Sequence, residues 1–242
     1  MAEFTILRIN ECNKIVYNVM HGPKRWLFFW AAAVILLFLN LGNSSALSGE
    51  AAYMAAASEI MQDPAKAFTL AVNEHNAEGL FVYRYWFTVL PSLFTGIMNE
   101  FSSRVFSALA AVMLLGCSVS ICKNLFDEKT AFLSGWLLLT NFSFALYGRM
   151  AEPVMLSGAW IMAAIAWWIH CRGRRSSWDC FVFFAICAFG TQYAGLPGWG
   201  IPCFAVLFYW VLIRQKKPDW NKACIVGACW GILLYVLPGI LE

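Results

Sequence analysis

The sequence predicts an all-α membrane protein, a bundle of about seven transmembrane helices with interfacial helices in a long first outer loop. Three observations carry that prediction. Of 242 residues, 61% are hydrophobic and 13% charged, about half the charge usual in a soluble domain. Apolar runs of bilayer-crossing length recur along the chain. The basic clusters between them all fall on one side once those runs are taken as spans. So few charges cannot cover a water-soluble surface, whereas 12 Trp and 20 Phe suit a lipid-facing exterior with aromatic belts.

The first span runs from Trp26 to Gly42. Val105–Cys122, Ala131–Tyr147, Val154–Cys171 and Cys180–Ala194 follow, and Trp199–Ile213 and Ala223–Leu241 complete the set. A cleavable signal competes for the first run, because Ser44-Ser45-Ala46 resembles a small-residue cleavage site. The preceding polar segment of about 25 residues is long for a signal peptide and favours a retained anchor. The nine cysteines do not form a disulfide framework. Cys117, Cys122, Cys180, Cys187, Cys203, Cys224 and Cys229 sit in apolar runs, where Cys serves as a small packing residue. No Cys/His grouping has metal-ligand spacing, so no metal site is expected.

Charge sets the orientation. Arg8, Lys14, Lys24 and Arg25 precede the first span; Arg172, Arg174 and Arg175 follow the fourth; Arg214, Lys216, Lys217 and Lys222 follow the sixth. With seven spans these clusters share one side, which the positive-inside rule makes cytoplasmic. Residues 1–25 are then a cytoplasmic segment and 26–242 a transmembrane module in an inner or plasma membrane. The loop 43–101 faces outward and carries Glu50, Glu59, Asp63, Glu74, Glu78 and Glu100 against Lys66 and Arg84.

That loop is where chemistry is expected. Ala51–Met61 reads as a helix, with Tyr53, Met54, Ala57 and Ile60 on one face. Leu80–Leu93 is aromatic and apolar and reads as an interfacial segment; a hairpin through the bilayer is the alternative. Arg149 and Glu152, in Gly148-Arg149-Met150-Ala151-Glu152-Pro153, stand at the outer turn between spans three and four. Ionisable groups at membrane depth are functional candidates, although at headgroup level the two could simply pair with each other or with lipid. Arg104, just before the second span, reads as an interfacial anchor. His75 and Glu78 read first as solvated loop residues.

Taken in order, these pieces resemble the GT-C glycosyltransferases of the protein O-mannosyltransferase and lipid A aminoarabinose transferase group. Ser48-Gly49-Glu50-Ala51-Ala52-Tyr53 resembles that group's Asp-Glu-x-x-Tyr start of the first outer loop. Tyr85-Trp86, Asn99-Glu100-Phe101-Ser102-Ser103-Arg104, Leu125-Phe126-Asp127-Glu128-Lys129 and Arg149-Met150-Ala151-Glu152-Pro153 follow in the group's order. The resemblance implies a seven-helix module. It implies transfer of a sugar from a polyprenyl-phosphate donor to an acceptor at the outer membrane face.

This sequence departs from the pattern in places. Gly49 stands where the group has its catalytic Asp, and Thr191-Gln192-Tyr193 lacks a Lys of the group's Thr-Lys-Gly. Members of the group are about twice as long, so the chain reads as the shared module alone, a half or subunit of a larger enzyme. Its expected partners are membrane lipid, the lipid-linked donor and a further membrane subunit or missing C-terminal half. No nucleic acid is expected, and no cofactor is named.

Sugar transfer needs a base for the acceptor hydroxyl and cationic help for the departing phosphate. Glu50 is the candidate base; Tyr53, Arg84, Arg149 and Glu152 are the candidate substrate-binding residues. Arg suits phosphate because its planar fork donates two parallel hydrogen bonds. Two other readings stand beside this one: a non-catalytic lipid-binding or assembly subunit that keeps the module, and a small transporter or channel. Scarce charge within the spans weighs against the transporter.

Overall fold

The computed structural model describes residues 24–43, 48–62, 99–171 and 177–213. Among them regular structure is wholly helical: α1 Arg25–Phe38, α2 Ser48–Gln62, α3 Glu100–Leu125, α4 Glu128–Leu139, α5 Phe142–Tyr147, α6 Val154–His170, α7 Ser177–Ala194 and α8 Leu196–Ile213. The first six expected spans overlap described helices. The seventh, Ala223–Leu241, lies outside the described residues, as do Leu80–Leu93, His75 and Glu78. Of the described helices, α3 is by itself long and apolar enough to cross a membrane; Arg25–Phe38, Val154–His170 and Leu196–Tyr209 are apolar and shorter. The expected helix over Ala51–Met61 is present, extended at both ends as α2.

Local chemistry explains the boundaries. Asn40, at φ 56°, turns the chain left-handed just after α1, a conformation Asn tolerates better than most residues. Asn99 starts α3 through a capping box: its side chain accepts from Ser102 N–H at 2.7 Å, and its own N–H donates to Ser102 Oγ at 3.1 Å. The third expected span, Ala131–Tyr147, is two helices. Thr140 Oγ1 donates back to the Trp136 carbonyl at 2.8 Å, and the Asn141 side chain then accepts from Phe144 N–H at 3.2 Å to cap α5. Polar residues at 140 and 141 thus divide a run that hydropathy alone reads as continuous.

α3 is the hub, packed most extensively on α6 and also against α4 and α1; α7 lies on α6 and pairs with α8. Phe29, Ala33 and Leu37, one stripe of α1, bury against Ala108, Ala111 and Leu115 of α3 in the main core. Around Phe29 close Trp26, Trp30, Phe132 and Trp136, with ring centroids 5.1–6.0 Å from it. Gly135 makes room for that ring, since a Cβ there would stand 2.8 Å from Phe29 Cζ. A second cluster, Ala164, Cys180, Phe183, Phe184 and Cys187, joins α6 and α7. Cys117, Cys122, Cys171, Cys180, Cys187 and Cys203 are all free thiols; all but Cys171, which borders a basic loop, stand in the apolar runs.

α1 and α3 run antiparallel, so the bundle has two ends. At one, α1 finishes, α2 and α3 begin, and the turn between α5 and α6 arrives. At the other, α1 begins and α3 passes into α4.

Candidate functional site

The polar residues of the first end converge on a single carboxylate. Glu50, in the first turn of α2, is 0% exposed. Arg104, one turn into α3 and 2% exposed, meets it as a fork: Nε donates to Oε1 at 2.8 Å and Nη2 to Oε2 at 2.9 Å. A third donor comes from the α5–α6 turn, where Ala151 N–H reaches Glu50 Oε1 at 2.7 Å. The remaining Arg104 nitrogen, Nη1, donates to the Leu41 carbonyl at 2.9 Å. One ion pair therefore ties together the chain after α1, the start of α2, the start of α3 and the α5–α6 turn.

Arg149 makes a parallel contact from that turn. Its Nη2 donates to the Leu39 carbonyl at 2.8 Å and lies 3.4 Å from the Asn40 carbonyl. Carbonyls after a helix lack intrahelical partners and carry the negative end of its dipole. Arg104 and Arg149 satisfy those following α1. Among the described residues Arg149 and Glu152 do not pair with each other; the Glu152 side chain is half-buried, and its backbone carbonyl accepts from Ser107 Oγ at 3.2 Å. Burial, and after it the charge of nearby Glu50, pushes the Glu152 carboxyl above the usual carboxylate range.

Of the candidates read from the sequence, Glu50, Arg149 and Glu152 come to this end of the bundle. Tyr53 stands one turn along α2 from Glu50 and is half-buried. Arg84 lies outside the described residues. Arg104 is not the interfacial anchor it was expected to be; it is buried in an ion pair. Its position held the signal. An arginine in the early turns of a helix opposes the positive end of the dipole, and here it stands among Ser102, Ser103 and Ser107, all small and all buried. Such a cation needs a carboxylate brought to it from elsewhere. Gly49 is in α2 and brings none.

The fold has a solved counterpart. The crystal structure of ArnT from Cupriavidus metallidurans in the apo state matches with a TM-score of 0.70 and 16% sequence identity, over 88% of this chain and 40% of that one. The likeness supports a GT-C-like fold. At that identity the likeness is one of architecture, and the chain spans less than half of the solved chain. No family model and no curated protein matches the sequence.

Proposed function

We propose that this chain is the membrane module of a glycosyltransferase that takes a sugar from a polyprenyl-phosphate donor at the Glu50 end of the bundle. In this reading that end faces outward, the N-terminus is cytoplasmic, and a further membrane segment or subunit completes the enzyme. The observation that carries it is Arg149: a half-exposed guanidinium held through one nitrogen by the carbonyls that follow α1, at the end of a bundle with an ArnT-like fold. Its Nε and Nη1 make no hydrogen bond among the described residues and can present a fork to a phosphate at headgroup depth. Arg84 is proposed as the second phosphate partner and Tyr53 as a contact to the sugar. Titration of the full chain in lipid nanodiscs with farnesyl phosphate tests this. Arg149→Ala should weaken binding by about 1.5–3 kcal/mol, as for hydrogen bonds to a charged group. Equal binding by both proteins would overturn the assignment.

A second reading, donor binding without transfer, is favoured by the burial of Glu50 against three N–H donors and by Gly49 at the group's Asp position. Wholly buried among these donors, Glu50 offers no surface to an acceptor hydroxyl. Gly49→Asp separates the readings, because it should raise turnover only where transfer chemistry runs.

A further inference from the structure

We infer that Glu152, and not Glu50, takes the proton of the acceptor hydroxyl, an inference that rests on the donor-binding reading above. The two carboxylates lie near one another and have opposite surroundings. Glu50 is wholly buried and held by three N–H donors. Glu152 keeps part of its surface, and its carboxylate makes no hydrogen bond or ion pair among the described residues.

The backbone that carries Glu152 is nevertheless fixed. Gly148 N–H donates to the Phe144 carbonyl at 3.0 Å, Arg149 reaches the end of α1, Ala151 N–H is held by Glu50, and the Glu152 carbonyl is held by Ser107. An unengaged carboxylate on a pinned turn, three residues from the guanidinium assigned to the phosphate, is placed as a general base should be.

Among the described residues the charge that acts on it is Glu50 from α2; Arg104 from α3 faces Glu50, and Arg149 from its own turn reaches the carbonyls that follow α1. Arg104 is held by Glu50, and Arg149 is tied through Nη2 alone, its other two nitrogens left for the phosphate. Glu152 therefore feels burial and the Glu50 charge, both of which raise its proton affinity. A carboxylate whose proton affinity is raised is a stronger base than an ordinary one. In the step, the acceptor O–H proton passes to the Glu152 carboxylate and the oxygen lone pair forms a bond to the sugar's anomeric carbon. The bond from that carbon to the phosphate oxygen breaks, and its electron pair leaves on the lipid phosphate beside Arg149. After transfer, Glu152 is protonated next to a phosphate anion.

That product state can be produced without knowing the sugar or the acceptor. A phosphate bound beside Glu152 adds negative charge and makes the carboxyl take up a proton. Binding of farnesyl phosphate to the full chain in nanodiscs is measured by calorimetry, at one pH, in two buffers of different ionisation enthalpy. The wild type should take up a larger fraction of a proton than Glu152→Gln, and Glu59→Gln, an exposed control on α2, should match the wild type. Titration of the lipid phosphate itself is common to all three proteins and cancels in the comparison. Glu152→Gln binding with unchanged proton uptake overturns the inference and leaves the donor site standing. A wild type that does not bind farnesyl phosphate overturns the donor site, and this inference with it.

Discussion

The two ends of the bundle each carry an Arg–Glu pair with nearly the same separation and opposite surroundings. Arg104 and Glu50 meet at 2.8 Å with side chains 2% and 1% exposed. Arg25 and Glu128 meet at 2.8 Å with side chains 16% and 48% exposed. Distance alone would rate them equal; solvent does not. Removing two ions from water costs several kcal/mol each and is offset only by good geometry and further hydrogen bonds. Glu50 has both, with a two-pronged arginine and a backbone N–H. Glu128 accepts from Arg25 and, at 2.7 Å, from Trp26 Nε1–H, within reach of water. The first pair joins four segments of chain. The second decorates an end already held by aromatic packing.

The comparison breaks most directly at Glu50. Glu50→Gln leaves Arg104 charged and buried, and should cost about 3–5 kcal/mol of stability. Replacing both partners with leucine should recover part of that loss, because no charge then remains buried. Denaturant unfolding in detergent, followed by helical signal, gives both values. A Glu50→Gln protein as stable as the wild type would show that the pair does not hold this end together.

At the other end the largest effect should come from shape. Gly135→Ala puts a methyl 2.8 Å from Phe29 Cζ and 3.0 Å from Val119 Cγ2. The Phe29 ring is fully buried and enclosed by other aromatics, so it has little room to yield. Overpacking of this kind costs about 1–3 kcal/mol. Phe29→Leu in the same protein should recover part of the loss, and absence of any destabilisation in Gly135→Ala would mean that the contact is slack.

Much of this was legible in the sequence because hydropathy reports solvent directly. The helices under the first six apolar runs, the α2 helix and the gathering of Glu50 with the Arg149–Pro153 turn at one end all follow from where charge is tolerated. Other features depend on partners distant in sequence. Arg104 reads as an anchor until Glu50, 54 residues away, is known to lie against it. The division of Ala131–Tyr147 rests on Asn141 capping a new helix, a local choice that average hydropathy does not register. The engagement of Glu50 was hidden for another reason: one of its donors is the Ala151 backbone N–H, which no side-chain pattern encodes.

The smallest expected effect belongs to Glu128, and it sharpens the comparison through its pH dependence. The Trp26 N–H, and then the Arg25 guanidinium, hold the Glu128 carboxyl below the usual carboxylate range. A carboxyl depressed on folding contributes stability above its unfolded pKa and loses that contribution as pH falls through the folded value. Glu152 is shifted the other way, so the cost of its ionisation is relieved as pH falls through its raised value. Mild acid should therefore stabilise the protein through Glu152 before stronger acid removes the contribution of Glu128. Being exposed, the Glu128 pair is screened by water and salt. Glu128→Gln should leave the melting temperature at neutral pH almost unchanged, and its small deficit should vanish below the ordinary carboxylate range. Glu152→Gln should instead be slightly more stable than the wild type at neutral pH, with the difference closing on mild acidification. Melting curves of the three proteins across that pH range would give the sign for each carboxylate, and a deficit for Glu152→Gln at neutral pH would contradict the burial and repulsion assigned to it.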